Sequence, residues 1–268
     1  MISVLMSVYH NEQPGFLNTA LKSLAEQTVS PSEIVLVRDG ELTRDLDHVI
    51  DGYRDSLNLT VVSLPTNSGL ATALNFGLQH CTQPWIMRFD TDDFCLPNRV
   101  ALQMAVIETQ DYDLIGGQVA EFDTDPLHPH QSRTLPLQQD HIVKFSRRRN
   151  PFNHMAVCFR KSFAENAGGY PEVPLMEDYA LWLKMIAAGA RTMNQPETLV
   201  HARVGHGMIE RRGGRKYLRS EWQLQRLFFE LGMKPRWRCL IDGTLRSAAF
   251  IAPTGVKKLI YKKFLRKS

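Results

Sequence analysis

The chain has 268 residues, 43% of them hydrophobic and 22% charged, enough to bury a sizeable core in one large domain or one domain with an appendage. Its four cysteines (Cys81, Cys95, Cys158 and Cys239) lie far apart with no CxxC pair, which argues against a zinc site or a redox motif and suits a reducing compartment. The net charge of +4 is an uneven average: the last twelve residues hold six of the 32 basic residues and no acid, so the near-neutral remainder gives little support for a nucleic-acid surface.

The opening "MISVLMSVYHNE" has no basic leader before its apolar residues and reads as a first strand, over 3–8, rather than a signal peptide. No stretch approaches the ~18 apolar residues that span a bilayer. Pro14 opens a helix with Phe16, Leu17, Ala20, Leu21 and Leu24 at helical spacing. "EIVLV" (33–37) is a second strand that stops at "RDG", followed by a polar segment with helical character. "LTVVSL" (59–64) is a third strand and "LATALNFGLQH" (70–80) a helix. "WIMRF" (85–89) is a fourth strand, and Pro97 heads a helix over 98–110. A fifth strand covers 113–122. The segment 124–152 begins as a long polar, proline-containing loop. A strand over 153–160, a helix over 177–189, a strand over 197–204 and a helix over 215–232 complete the pattern.

Strands alternating with helices predict an α/β fold with a mostly parallel sheet covered on both faces. Ligands in such sheets sit beyond the carboxyl ends of the strands. Tyr9, Asp39, Asn67 and Asp90 each follow a strand end, so the sheet would gather them on one edge.

Three segments on this path carry acid or anion chemistry. "RFDTDDF" places Asp90, Asp92 and Asp93 within four positions, a set of hard oxygen ligands suited to Mg²⁺ or Mn²⁺. The alternative is a solvated acidic turn or helix cap. "EDYALW" puts Glu177 and Asp178 in a first helical turn, where the helix dipole favours anions in any case; in a cleft such a carboxylate acts as a general base. "NSGLATALNFG" turns at Asn67 and Gly69 into a helix start, which also favours anions. It matches neither GxxxxGK[ST] nor GxGxxG. Finally, "HARVGHGMIERRGGRKY" (201–217) offers His206, Arg211 and Arg212, either as metal and phosphate ligands or as a solvated basic loop.

Taken in order, "SVYHNE", "VRDG", "NSGLATALNFGL", "RFDTDD", "EDYALW" and "RVGHGMIERRGG" resemble the family-2 glycosyltransferases of GT-A type over about residues 2 to 217. Within that family the resemblance is to bacterial enzymes that build O-antigen and exopolysaccharide repeat units. It implies a GT-A catalytic domain over 1–205, with a nucleotide-binding half (1–123) and an acceptor half (124–205), then a basic loop, helix and tail over 206–268. It also implies a UDP-sugar donor, a divalent Mn²⁺ or Mg²⁺ cofactor, and a glycan acceptor linked to a polyprenyl diphosphate. Under the resemblance Tyr9 lies against the nucleobase, Asp39 hydrogen-bonds it, and Glu12 reaches the same nucleoside. Asn67 and Gly69 pack near base and ribose, and Asp90 contacts ribose or sugar. Asp92 binds the metal with Asp93 assisting and His206 completing its shell. Arg211 and Arg212 meet the diphosphate, Glu177 shapes the acceptor site, and Asp178 is the general base. One visible base and no second nucleophile imply a single displacement with inversion.

"QLQRLF" (223–228) lacks the QxxRW of processive synthases, so transfer of one sugar is expected. Two other readings fit a metal and a nucleoside pocket less well. A nucleotidyltransferase lacks its glycine-rich, lysine-bearing loop here, and a scaffold has no use for both Asp92 and Asp178. In the tail, Val256, Leu259, Ile260 and Phe264 form an apolar face flanked by lysines, which suits a helix lying on the anionic inner face of the plasma membrane. At ~1 kcal/mol per basic residue, with about half of them facing lipid, attachment is reversible. A capping helix or a solubilising tail is the other reading.

Overall fold

The nine strands of the sheet are β1 (Ile2–Val8), β2 (Glu33–Asp39), β3 (Leu59–Leu64), β4 (Trp85–Arg88), β5 (Phe94–Cys95), β6 (Leu114–Phe122), β7 (Gln131–Arg133), β8 (Cys158–Arg160) and β9 (Thr192–Arg203). They come from a computed structural model that describes residues 1–109, 111–204 and 214–251. The sheet runs β3-β2-β1-β4-β8-β6-β9-β5, with β7 added to β6. The first four strands pair in parallel, and so do β6 and β9. β8 lies antiparallel between β4 and β6, which restores β6 to the direction of the first four. The expected α/β, mostly parallel sheet is therefore present.

Alternate residues of one strand serve different cores, as the pleat requires. Val4 and Met6 of β1 pack with α1 (Pro14–Ala25) and α2 (Arg44–Gly52). Leu5 between them packs with α3 (Leu70–His80) on the other face. Further along come α4 (Arg99–Thr109), α5 (Gln139–Ser146), α6 (Lys161–Asn166) and α7 (Glu177–Ala187). The helices α8 (Gly214–Glu230) and α9 (Arg236–Ile251) form a hairpin. It joins the body through Leu224, Phe228 and Cys239, which meet Tyr179, Ala180 and Leu183 of α7.

The strand expected over 153–160 is shorter. Residues His154–Ala156 form a 3₁₀ turn, and only Cys158–Arg160 is extended. Asn153 accounts for the turn: its side chain donates to the Gly117 carbonyl, and its own carbonyl accepts from Ala156 N. The loop after 124 contains β7 and α5, too short to announce themselves as periodic runs. β9 begins at Thr192, five residues earlier than expected, and keeps pairing past Pro196 through a register shift opposite Gly116–Gln118. Among the described residues no helix is long and apolar enough to cross a membrane.

Candidate functional site

The parallel order of β3-β2-β1-β4 brings four strand ends to one edge. A cleft of about 480 Å³ opens there, lined by Tyr9, Glu12, Asp39, Asn67, Gly69, Asp90 and Asp92 among others. Seven of the residues singled out in sequence thus meet in one place. Tyr9 remains 44% exposed, leaving an aromatic surface open to a planar ligand.

One wall of the cleft is a backbone turn held by a buried carboxylate. Asp39 accepts from Ser68 N at 2.7 Å and from Gly69 N at 3.0 Å, one bond to each oxygen. It thereby ties the end of β2 to the start of α3. Gly40 makes the approach possible. Its φ is +87°, and a Cβ there would lie 2.7 Å from Asn67 N. Gly69, also at φ +87°, starts α3.

The acidic loop after β4 has a cation of its own. Arg88 is buried, and its guanidinium pairs with Asp90 and donates to the Phe89 carbonyl. An arginine in the apolar run "WIMRF" must find a partner, and that was the available signal for it. Thr91 donates to Glu12 at 2.6 Å, so Glu12 fastens this loop to the one after β1. Its other oxygen takes Gln13 N at 2.8 Å. Arg203 fastens the loop from β9. Its Nε donates to the Asp92 carbonyl at 3.0 Å, and its guanidinium stacks over Phe16 and Phe122. Arg203 heads the motif "RVGHGMIERRGG", where the sequence suggested no role for it.

Asp92 and Asp93 go different ways. Asp93 is buried, is absent from the cleft lining, and accepts Arg203 N at 2.8 Å. Burial, then the charges of Asp92 and Asp90, push its pKa well above the usual carboxylate range. Expected to assist Asp92 at a metal, Asp93 here holds β9 to the loop through one of its oxygens. Asp92 faces the cleft. Burial, then Asp90 and Glu12, raise its pKa to about 7.

Among the described residues no three His, Cys, Asp or Glu side chains converge as a metal cage. His206, Arg211 and Arg212 lie outside the described residues. The donor set still fits a divalent ion that takes most of its ligands from substrate. Asp92 is a hard oxygen ligand in a negatively charged cleft, and a cation there would favour its ionised form.

The start of α7 repeats the division seen in the acidic loop. Glu177 is buried, and burial followed by the charge of Asp178 raises its pKa, against a lowering by the backbone of residues 175 to 177. Leu175, two residues before it, has a φ of +69°, unusual for a residue with a Cβ. Asp178 is more open, and Asn150 donates to it at 2.6 Å. Burial raises its pKa, Arg133 pulls it down, and Asp90 adds to the rise. Asp178 does not line the cleft, although the charge of Asp90 is felt at its carboxylate. Asn150 and Arg133 lie in the segment read only as polar loop, so neither was anticipated.

Three comparisons bear on this arrangement. The amylovoran biosynthesis glycosyltransferase AmsE of Erwinia amylovora is 39% identical over 264 residues, 98% of each chain. An Escherichia coli UDP-Gal:α-D-GlcNAc-diphosphoundecaprenol β-1,3-galactosyltransferase is 37% identical, covering 99% of this chain and 96% of that one. The Staphylococcus aureus TarS structure (residues 1–349, with UDP-GlcNAc) superposes with a TM-score of 0.70 at 17% identity, over 98% of this chain and 76% of that one; this shows a shared GT-A fold. The model of glycosyl transferase family 2 matches residues 3–166, and with relatives of this similarity along its whole length the chain belongs to that family.

Proposed function

We propose that the protein transfers one hexose, galactose or glucose, from a UDP-sugar to a lipid-linked glycan acceptor, with inversion, in bacterial surface polysaccharide synthesis. The observation that carries this is the pairing of the two sites. An acid-lined cleft with an open aromatic stands next to a carboxylate whose pKa is raised by burial. The relatives support the substrate classes: one acts on a diphosphoundecaprenol-linked sugar and the other serves amylovoran synthesis. In this reading residues 1–123 hold the donor, 124–205 the acceptor, and 206–268 form the appended basic region.

In this reading each residue has a distinct role. Tyr9 stacks on the nucleobase. The turn pinned by Asp39 shapes the base and ribose pocket, with Asn67 and Gly69 at its rim. Asp90, oriented by Arg88, meets the ribose or sugar. Asp92 holds a Mn²⁺ or Mg²⁺ ion that, when bound, neutralises charge on the diphosphate leaving group. Asp178 removes the proton of the acceptor hydroxyl as that oxygen attacks C1. Its raised pKa brings it nearer to working pH, where a base is most effective. The test is a donor screen with purified protein. It measures metal-dependent hydrolysis of UDP-sugars, followed by transfer to a polyprenyl-diphosphate-linked sugar. Diphosphate release from a nucleoside triphosphate in place of sugar transfer would show a nucleotidyltransferase instead.

A further inference from the structure

The α8–α9 hairpin differs from the body in charge and in what it exposes. Residues 1–204 contain 16 basic and 24 acidic residues, whereas 214–251 contain eight basic and three acidic. The inner side of α9 is occupied: Cys239 is buried, Asp242 pairs with Lys234, Gly243 lies against Trp222, and Arg246 pairs with Glu221. Its outer side is apolar. Trp237, Leu240, Ile241 and Leu245 follow the spacing of one helix face and are 61%, 59%, 45% and 66% exposed. A run of large apolar side chains in water along one helix marks an interaction surface.

A recess of about 230 Å³ opens beside this face. Arg147, Arg148, Lys234 and Arg238 line it with Asp242 as the sole acid. Asp242 is shared between Lys234 (3.0 Å) and Arg238 (3.1 Å), while Arg147 and Arg148 are exposed and make no ion pair among the described residues. Both flank the acceptor side of the site. Ser146 accepts from Tyr179 of α7 at 2.5 Å, and Asn150 donates to Asp178.

We propose that the outer face of α9 docks on an anionic phospholipid bilayer. Trp237, Leu240, Ile241 and Leu245 enter the headgroup boundary, and the Arg147–Arg148–Lys234–Arg238 recess takes lipid phosphate. Charge complementarity selects this occupant. A cationic rim round an apolar stripe bearing a tryptophan suits an anionic interface, whereas a second copy would bring another cationic rim against the first. The surface is distinct from the tail at 256–264, which lies outside the described residues. The inference deepens the reading of the acceptor as lipid-linked, because docking here holds Asp178 close to the bilayer where such an acceptor resides.

The test is co-sedimentation of the full-length protein with phosphatidylcholine vesicles, with and without phosphatidylglycerol. Wild type is expected to sediment with the anionic vesicles. Leu240→Ser with Leu245→Ser should weaken that binding about tenfold or more. Arg147→Ser with Arg148→Ser should weaken it about tenfold. All four residues are exposed, so the melting temperature and UDP-sugar hydrolysis should be unchanged and report intact folding. Binding of the leucine variant equal to wild type would assign attachment to the tail and overturn the proposal. So would absence of binding by wild type, or a wild-type dimer that the leucine changes dissociate. No donor or acceptor enters the vesicle-binding measurement itself, so its failure leaves sugar transfer standing, and the reverse also holds.

Discussion

The loop after β4 and the first turn of α7 each begin with adjacent acids, and each divides them. In the loop Asp93 is buried against Arg203 N while Asp92 faces the cleft. On the helix Glu177 is buried while Asp178 is partly exposed and held by Asn150. One acid of each pair is buried in the frame and the other reaches the surface, where we propose it does chemistry. The means differ. The loop is held by Arg203 of β9, and the helix start by Asn150 from the segment before β8. Consecutive carboxylates are therefore not interchangeable, and substitution should separate activity from stability.

The largest effect is expected at Asp178. Asp178→Asn should lower kcat about 10²–10⁴-fold with little change in melting temperature, as loss of a general base does. Retained transfer in steady-state assays would return Asp178 to the frame. Next comes Asp92. Asp92→Asn should remove the response of activity to added Mn²⁺. In the wild type, a pKa of about 7 without metal means that a proton competes for the same oxygen, so Mn²⁺ affinity in the presence of UDP should be about tenfold weaker at pH 6 than at pH 8. Calorimetric titration reads this directly, and an unchanged affinity would place the metal elsewhere. The linked stability effect has a definite sign. A carboxyl pKa raised by folding means the metal-free fold loses stability as pH climbs from the ordinary carboxylate range towards 7, and the loss is complete above it.

Asp93 should behave in the opposite manner. Asp93→Ala leaves Arg203 N without its buried acceptor and should cost about 1–3 kcal/mol. That is roughly 2–4 °C of melting temperature per kcal/mol for a chain of this size. Asp93→Asn keeps an acceptor oxygen and relieves the carboxylate cluster, so it should melt near wild type or above it. If Asp93→Asn abolishes the metal response as Asp92→Asn does, the division within this pair fails. The smallest effect is expected at Glu177. Glu177→Gln removes a buried charge beside Asp178 and should leave the melting temperature near wild type or slightly above it. It should raise the acceptor KM more than it lowers kcat, which is the readout that distinguishes it from Asp178.

The strand ends were readable because each apolar run stops at a polar residue, and parallel alternation leaves those stops on one edge. Tyr9, Asp39, Asn67 and Asp90 meet there for that reason. The acidic knot was read as awaiting an external cation. Arg88 shows that part of the answer is internal, since a buried guanidinium already pairs with Asp90. The helices α5, α6 and α9 went unread for different reasons. The first two are only eight and six residues long. α9 carries large apolar residues on the side that faces solvent, so its pattern does not mark a core face.

By itself the sequence determined the alternating architecture and the identity of the residues on its carboxyl edge, because periodicity and strand termination are local properties. It also determined which chemistry was available: hard oxygens, an aromatic and a candidate base. Only the tertiary structure decided which acid of each pair is buried and which reaches the surface. That choice is made by partners far along the chain. Arg203 reaches Asp93 across 110 residues, and Asn150 reaches Asp178 across 28. Loop torsions, unlike strand pleats, carry no fixed period from which such facing could be read.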